Sequence, residues 1–122
     1  MIKIVSYSLI LTIANLFLSC VQPESITSST AGNTTPVIRS VFVNPIFVKV
    51  GATAIIKVTA EDPDGDELSY EWTTAIGDII GSGSEVRYSA AYCCVGINII
   101  TVTVSDYKGA KTSKPVEVEI IP

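Results

Sequence analysis

The sequence predicts an all-β sandwich in a single domain, and three observations carry that reading. From Pro36 onward, Gly and Pro interrupt the chain at short, regular intervals, at Pro45, Gly51, Pro63–Asp64–Gly65, Gly77, Gly96 and Lys108–Gly109. The segments between them are rich in Val, Ile, Thr and Tyr, and several alternate apolar with polar residues. No segment carries a helical period bounded by caps. A length of 122 residues leaves room for one such domain and little else.

The first 19 residues stand outside the domain. Lys3 supplies the only charge, and an apolar run follows through Ile10, Leu11, Ile13, Leu16, Phe17 and Leu18, with no acidic residue before Glu24. This is the pattern of a secretory signal, and it is short for a span, which needs roughly 20 residues. Its end, Leu16-Phe17-Leu18-Ser19-Cys20, resembles a bacterial lipobox, with Leu18 standing where that pattern more often has a small residue. The resemblance implies cleavage before Cys20, a diacylglycerol thioether on its sulfur and an amide-linked acyl chain, palmitate-like, on its new amino terminus. Two or three acyl chains hold a protein stably on a bilayer, whereas one is marginal. Val21 follows the cysteine in place of Asp. By resemblance to enteric sorting, that implies the outer rather than the inner membrane of a bacterial cell envelope.

Residues 20–35 read as an acylated cysteine and a flexible tether. The stretch after Cys20 is Ser- and Thr-rich, has one charge and shows no periodicity. Fifteen such residues reach about 20 Å. The domain is then expected over residues 36–122.

Its first strand spans about Val37–Val43, with Val37, Val41 and Val43 on one face and Ile38 and Phe42 on the other. Pro45 breaks it in the manner of an edge strand that changes sheets, and Ile46–Val50 continues to Gly51. In Thr53–Ala60 the residues Ala54, Ile56, Val58 and Ala60 point inward and Lys57 and Thr59 outward. An acidic turn follows at Asp62–Asp66, where Pro63 presets φ and Gly65 accepts φ > 0. Leu68–Trp72 then alternates cleanly, so Trp72, the single tryptophan, is expected as the core anchor between the sheets. In the later strands Ile100, Val102 and Val104 face the core, followed by Val116, Val118 and Ile120. Glu117 and Glu119 face outward and would guard an edge.

Glu61-Asp62-Pro63-Asp64-Gly65-Asp66 followed by Leu68-Ser69-Tyr70-Glu71-Trp72 resembles the B–C corner and C strand of PKD-like and related bacterial immunoglobulin-like domains. Ile79–Ser84 with Val86–Tyr88 resembles the strands that follow. Ile100–Asp106 with Lys108-Gly109-Ala110 is similar to their F strand and F–G turn. The resemblance covers roughly Pro36–Ile121. It implies a seven-stranded immunoglobulin-like (PKD-like) β-sandwich used for adhesion, spacing or glycan contact, with no fixed binding site. Asn98 stands where such domains often place an inward aromatic.

Composition narrows the function. The chain has no histidine, which removes the commonest general base and metal ligand. With a net charge of −4 and no basic cluster, a nucleic-acid surface is not expected. No enzyme and no obligate cofactor is expected. Asp62, Asp64 and Asp66 form a candidate Ca²⁺ set, completed by Glu61 or Asp106. It is not an EF-hand loop, because Gly65 falls at the fourth position and Thr73 at the twelfth. A solvated corner turn is the plainer reading. Cys93 and Cys94 remain once Cys20 is acylated, and a vicinal disulfide, two buried thiols or an intermolecular bridge would each use them. Tyr92 and Tyr107 lie in loops and are candidates for stacking on a sugar.

The reading is therefore a lipid-anchored envelope lipoprotein. It presents a non-enzymatic module for binding, adhesion or spacing, with a protein or glycan ligand. The alternative is a structural subunit of a larger envelope assembly, paired through an edge strand such as Ile46–Val50 or Pro115–Ile121. A glycan-binding or redox-sensing role ranks below these.

Overall fold

The computed structural model describes residues 32–122. The signal segment, Cys20 and the tether up to residue 31 lie outside the described residues. Among the described residues, eight strands build two four-stranded sheets. They are β1 (Val37–Asn44), β2 (Phe47–Lys49), β3 (Thr53–Glu61), β4 (Leu68–Thr74), β5 (Asp78–Ile80), β6 (Glu85–Ser89), β7 (Gly96–Asp106) and β8 (Lys111–Ile121). Sheet A has the order β1-β3-β6-β5, and sheet B the order β2-β8-β7-β4. The count is eight rather than seven because the first segment forms two strands, one in each sheet. Pro45 has no amide hydrogen to extend the ladder. The chain leaves β1, antiparallel to β3, and resumes in β2, parallel to β8.

Period-2 alternation places the core. Ala54, Ile56 and Val58 of β3 face Ile100, Val102 and Val104 of β7 and Val116, Val118 and Ile120 of β8, with Val48 and Val86 closing the layer. One departure follows from a β-bulge. Register slips between Ile38 and Ser40, so Arg39 is an extra residue and the parity of β1 inverts there. Ile38 therefore joins Val41 and Val43 against the core, Val37 leaves the set expected with them, and Phe42 keeps the outward side.

Two further expectations are corrected. Pro115–Ile121 belongs to β8, which is interior to the order of sheet B: β7 pairs along one side, and β2 covers the other side over Glu119–Ile121. Glu117 and Glu119 sit on the outer face of sheet B, and Glu119 is paired with Phe47 of β2 rather than standing at a free edge. The centre of the core is Tyr88, whose side chain is fully buried, and not Trp72, which is half-buried. Trp72 packs at the margin of the core, where its indole Nε1 donates to the Gly83 carbonyl at 2.9 Å and ties sheet B to the β5–β6 turn of sheet A. Tyr88 carries its hydroxyl inward because the pole is satisfied there. The hydroxyl donates to the Ile76 carbonyl at 3.0 Å and accepts from Asn98 Nδ2 at 2.8 Å. Asn98 thus takes the inward slot as the hydrogen-bond partner of an aromatic on the opposite sheet.

Candidate functional site

The sandwich has two ends, and the sequence-derived candidates divide between them. β7 alone runs from Gly96 to Asp106, roughly 34 Å at a strand's rise per residue.

At one end lie the acidic turn and the β7–β8 turn. The Asp62 carbonyl accepts from the Gly65 amide at 3.0 Å, and Asp62 Oδ1 accepts from the Asp64 amide at 2.7 Å, so the aspartate side chain caps its own turn. This directs the alternate residues apart. Asp64 swings outward and takes the Thr34 amide at 2.6 Å and its hydroxyl at 3.3 Å. Asp62 and Asp66 turn inward and meet Asp106, which the β7–β8 turn brings from forty residues away. One carboxylate oxygen of each lies within 4.8 Å of the others. The acidic triad is thus Asp62, Asp66 and Asp106. Asp64, a member of the expected set, is spent on Thr34, and Glu61 is paired with Arg39 on the surface.

The triad is asymmetrically satisfied. Asp106 accepts from Asn33 Nδ2 and from the Lys108 and Ala110 amides at 2.8 and 2.9 Å. Burial pushes its pKa up, but the hydrogen bonds from Asn33 and from the backbone of Ala110, Lys108 and Gly109 outweigh that, and the carboxyl lies below its ordinary value. Asp66 Oδ2 is buried and faces the Lys108 ammonium at 3.0 Å, an ion pair without hydrogen-bond alignment. That carboxylate raises the Lys108 pKa. Asp62 Oδ2 is buried with no hydrogen-bond partner. A buried, unpaired carboxylate oxygen beside two more carboxylates suits a hard divalent cation with oxygen ligands. Among the described residues, Asn33 already contacts the domain, three residues before the boundary that composition suggested.

At the other end the β2–β3 turn, the β4–β5 loop and the β6–β7 loop come together. Cys93 and Cys94 are joined in a vicinal disulfide, with Cα atoms 3.7 Å apart. Cys93 is exposed and Cys94 half-buried. Tyr92 beside them is 85% exposed, yet its ring rests on the backbone at Gly51. A Cβ on Gly51 would lie 2.5 Å from the ring, and the residue sits at φ +77°, so only glycine allows the ring to lie there. Tyr107, on the β7–β8 turn, belongs to the acidic end, with Lys108 Nζ 5.3 Å from its ring centroid. The two tyrosines stand at opposite ends and cannot share one sugar. Val95 and Ile97 extend the apolar surface from Tyr92 onto sheet B. Sequence reasoning had not singled out this extension, although Val95-Gly96-Ile97 beside the cysteines signalled it.

Two antiparallel-rich sheets face to face, with a sheet-switching first strand and ligand-capable loops at both ends, define an immunoglobulin-like sandwich module. The PKD domain of an M14-like peptidase from a Thermoplasmatales archaeon shares this fold, with a TM-score of 0.58 and 24% identity over 75% of this chain and 100% of that one. The PKD1 domain of Vibrio anguillarum Epp aligns with a TM-score of 0.50 and 27% identity, over 74% of this chain and 100% of that one. The chain belongs to the bacterial Ig domain family, whose pattern matches residues 33–119. It is also 34% identical over 103 residues to Chitinase A of Pseudoalteromonas piscicida, a match that covers 83% of this chain and 12% of that enzyme. Modules of this kind are typically non-catalytic, and their bacterial setting indicates an extracellular or envelope protein.

Proposed function

We propose that the chain is a lipid-anchored envelope lipoprotein whose Ig-like module binds a ligand at the end remote from its tether. The carrying observation is the placement of the two ends. Asn33 and Thr34 are held at the acidic end by Asp106 and Asp64, while Tyr92, Cys93 and Cys94 project from the opposite end. A tether on Cys20 then holds the acidic end toward the bilayer and the Tyr92 loop away from it. The test is the intact mass of protein extracted from host membranes. The expected species runs from Cys20 to Pro122 with acyl chains attached, and a Cys20→Ser variant loses them. An unacylated or uncleaved chain would sink the anchor.

A glycan is the ligand class favoured by two observations, the exposed Tyr92 ring seated on Gly51 and the likeness to a chitinase. A flat aromatic face backed by glycine and flanked by a disulfide suits stacking against a pyranose. Retention on insoluble chitin should fall by up to about tenfold in Tyr92→Ala, since one aromatic contact contributes on the order of 0.5–1.5 kcal/mol. Retention unchanged in that variant would remove Tyr92 from the site.

At the tether end, Asp62, Asp66 and Asp106 would hold Ca²⁺, whose binding relieves the unpaired Asp62 oxygen. Saturating Ca²⁺ should raise Tm by about 4 °C or more, and Asp66→Asn should abolish the rise. Identical melting curves with Ca²⁺ and with chelator would reject the site.

A further inference from the structure

Each sheet ends in two edge strands, and all but one of these edges are blunted. In sheet A, β1 carries the bulge at Arg39 and lies between Pro36 and Pro45, and β5 is only three residues long. In sheet B, β2 is also three residues long, and the part of β8 that it leaves uncovered contains Pro115. Bulges, prolines and short strands keep a sheet from pairing with a further strand. β4 has none of these devices. It runs for seven residues without proline, and its register with β7 is unbroken from Leu68 opposite Asp106 to Thr74 opposite Ile100. On the side away from β7, alternate amides and carbonyls of β4 have no neighbouring strand to bond.

The same edge is apolar on its inner side and acidic on its outer side. Tyr70, Trp72 and Thr74 pair with Val104, Val102 and Ile100, which are fully buried, yet all three are themselves half-buried. Their exposed flank is the one that a neighbouring strand would cover. Ser69, Glu71 and Thr73 alternate with them and are exposed on the outer face. Between Lys57 and Arg87 the chain has no Lys or Arg, and both β4 and β5 come from this stretch. Glu67, Glu71 and Asp78 stand exposed there, and Glu71 has no ion-pair partner among the described residues.

We infer that β4 receives an extended segment of a partner protein as an added strand of sheet B, with a basic side chain opposite Glu71. Main-chain hydrogen bonds along β4 hold the segment, and its apolar side chains cover Tyr70 and Trp72. The Lys or Arg on its outer side meets Glu71 and sets the register. A second copy of this chain is the poorer occupant, since β4 against β4 brings two acidic flanks together. The strand is a different one from the edges considered from sequence, and it lies along the flank of the sandwich rather than at the Tyr92 loop.

The experiment uses Trp72, the single tryptophan, as its reporter. The probe is a capped peptide with lysine at its centre, threonine two positions to either side, and valine between them and at both ends. Titrated into the full chain in non-ionic detergent, it should move Trp72 emission to shorter wavelength and saturate. N-methylation of one alternate set of the peptide amides should abolish the shift, and N-methylation of the other set should leave it, because only one set faces β4. Glu71→Lys should weaken binding by about threefold or more, and should prefer the same peptide with glutamate at its centre. Glu71 is exposed, and an unchanged melting curve establishes that the variant folds. A wild type without a saturable shift would overturn the inference. So would binding that survives both methylations, or equal affinity of Glu71→Lys and wild type for the lysine peptide. A wild-type dimer that the peptide dissociates would give the edge to a second copy instead.

Discussion

At the residue scale, the core is decided by one hydroxyl. Tyr88 and Trp72 both fall on inward positions of their strands, but Tyr88 lies on β6, inside sheet A, while Trp72 lies on β4, at the edge of sheet B. A side chain at a sheet edge keeps a flank to solvent, and Trp72 is half-buried for that reason. Tyr88 is surrounded, so its oxygen must find partners, and it finds them in Asn98 and the Ile76 carbonyl. Tyr88→Phe keeps the ring and leaves the buried Asn98 amide without this partner, while the Ile76 carbonyl keeps the bond from Thr74 Oγ1 at 2.8 Å. It should cost about 1–3 kcal/mol in urea unfolding. A further Asn98→Leu exchange should recover part of that loss, because the amide is then no longer buried without a partner. Equal stability of Tyr88→Phe and wild type would show that the network contributes nothing.

At the scale of the element, the two turns at the acidic end work as a pair. Asp106 has a folded pKa below its ordinary value, so the unfolded chain takes up its proton first as pH falls. Its contribution is present above the ordinary aspartate pKa of 3.8 and is lost as pH drops through the depressed value. Urea midpoints measured from pH 6 down to pH 2 should fall in that acid window. The fall should be shallower in Asp106→Asn, which has no proton to gain. An unchanged slope would assign the acid sensitivity to other carboxylates.

These elements also show what a sequence can and cannot display. The strands are legible because period 2 is a local property, and Thr53–Glu61 alternates in the fold as it does in the letters. The acidic turn is legible because Pro63 and Gly65 constrain φ locally. Three things were not legible. The extra residue at Arg39 changes nothing in the composition of β1, yet it moves Ile38 to the core side. The covering of the end of β8 by β2 depends on a partner more than seventy residues away, Phe47 for Glu119. The departure of Asp64 from the acidic set, for which Asp106 is an expected completing residue, depends on Thr34, thirty residues away, donating to its carboxylate. Each is a long-range pairing, settled by which backbone meets which.

At the scale of the whole molecule, the long axis organises everything. Asn33 is fixed at one end, and Val50, Gly51 and Ile121 meet at the other, where the Val50 amide donates to the Ile121 carbonyl at 2.9 Å. The parallel pairing of Phe47–Lys49 with Glu119–Ile121 has a mechanical consequence. A pull between residues 33 and 122 draws β2 and β8 past each other along their own length. Hydrogen bonds loaded in that direction share the force and must yield together, whereas a hairpin opened from its tip gives way one bond at a time. Three residues of β2, the smallest addition to the fold, thus act as a shear clamp, and resistance to tension rests on the strand that the Pro45 break detaches from β1.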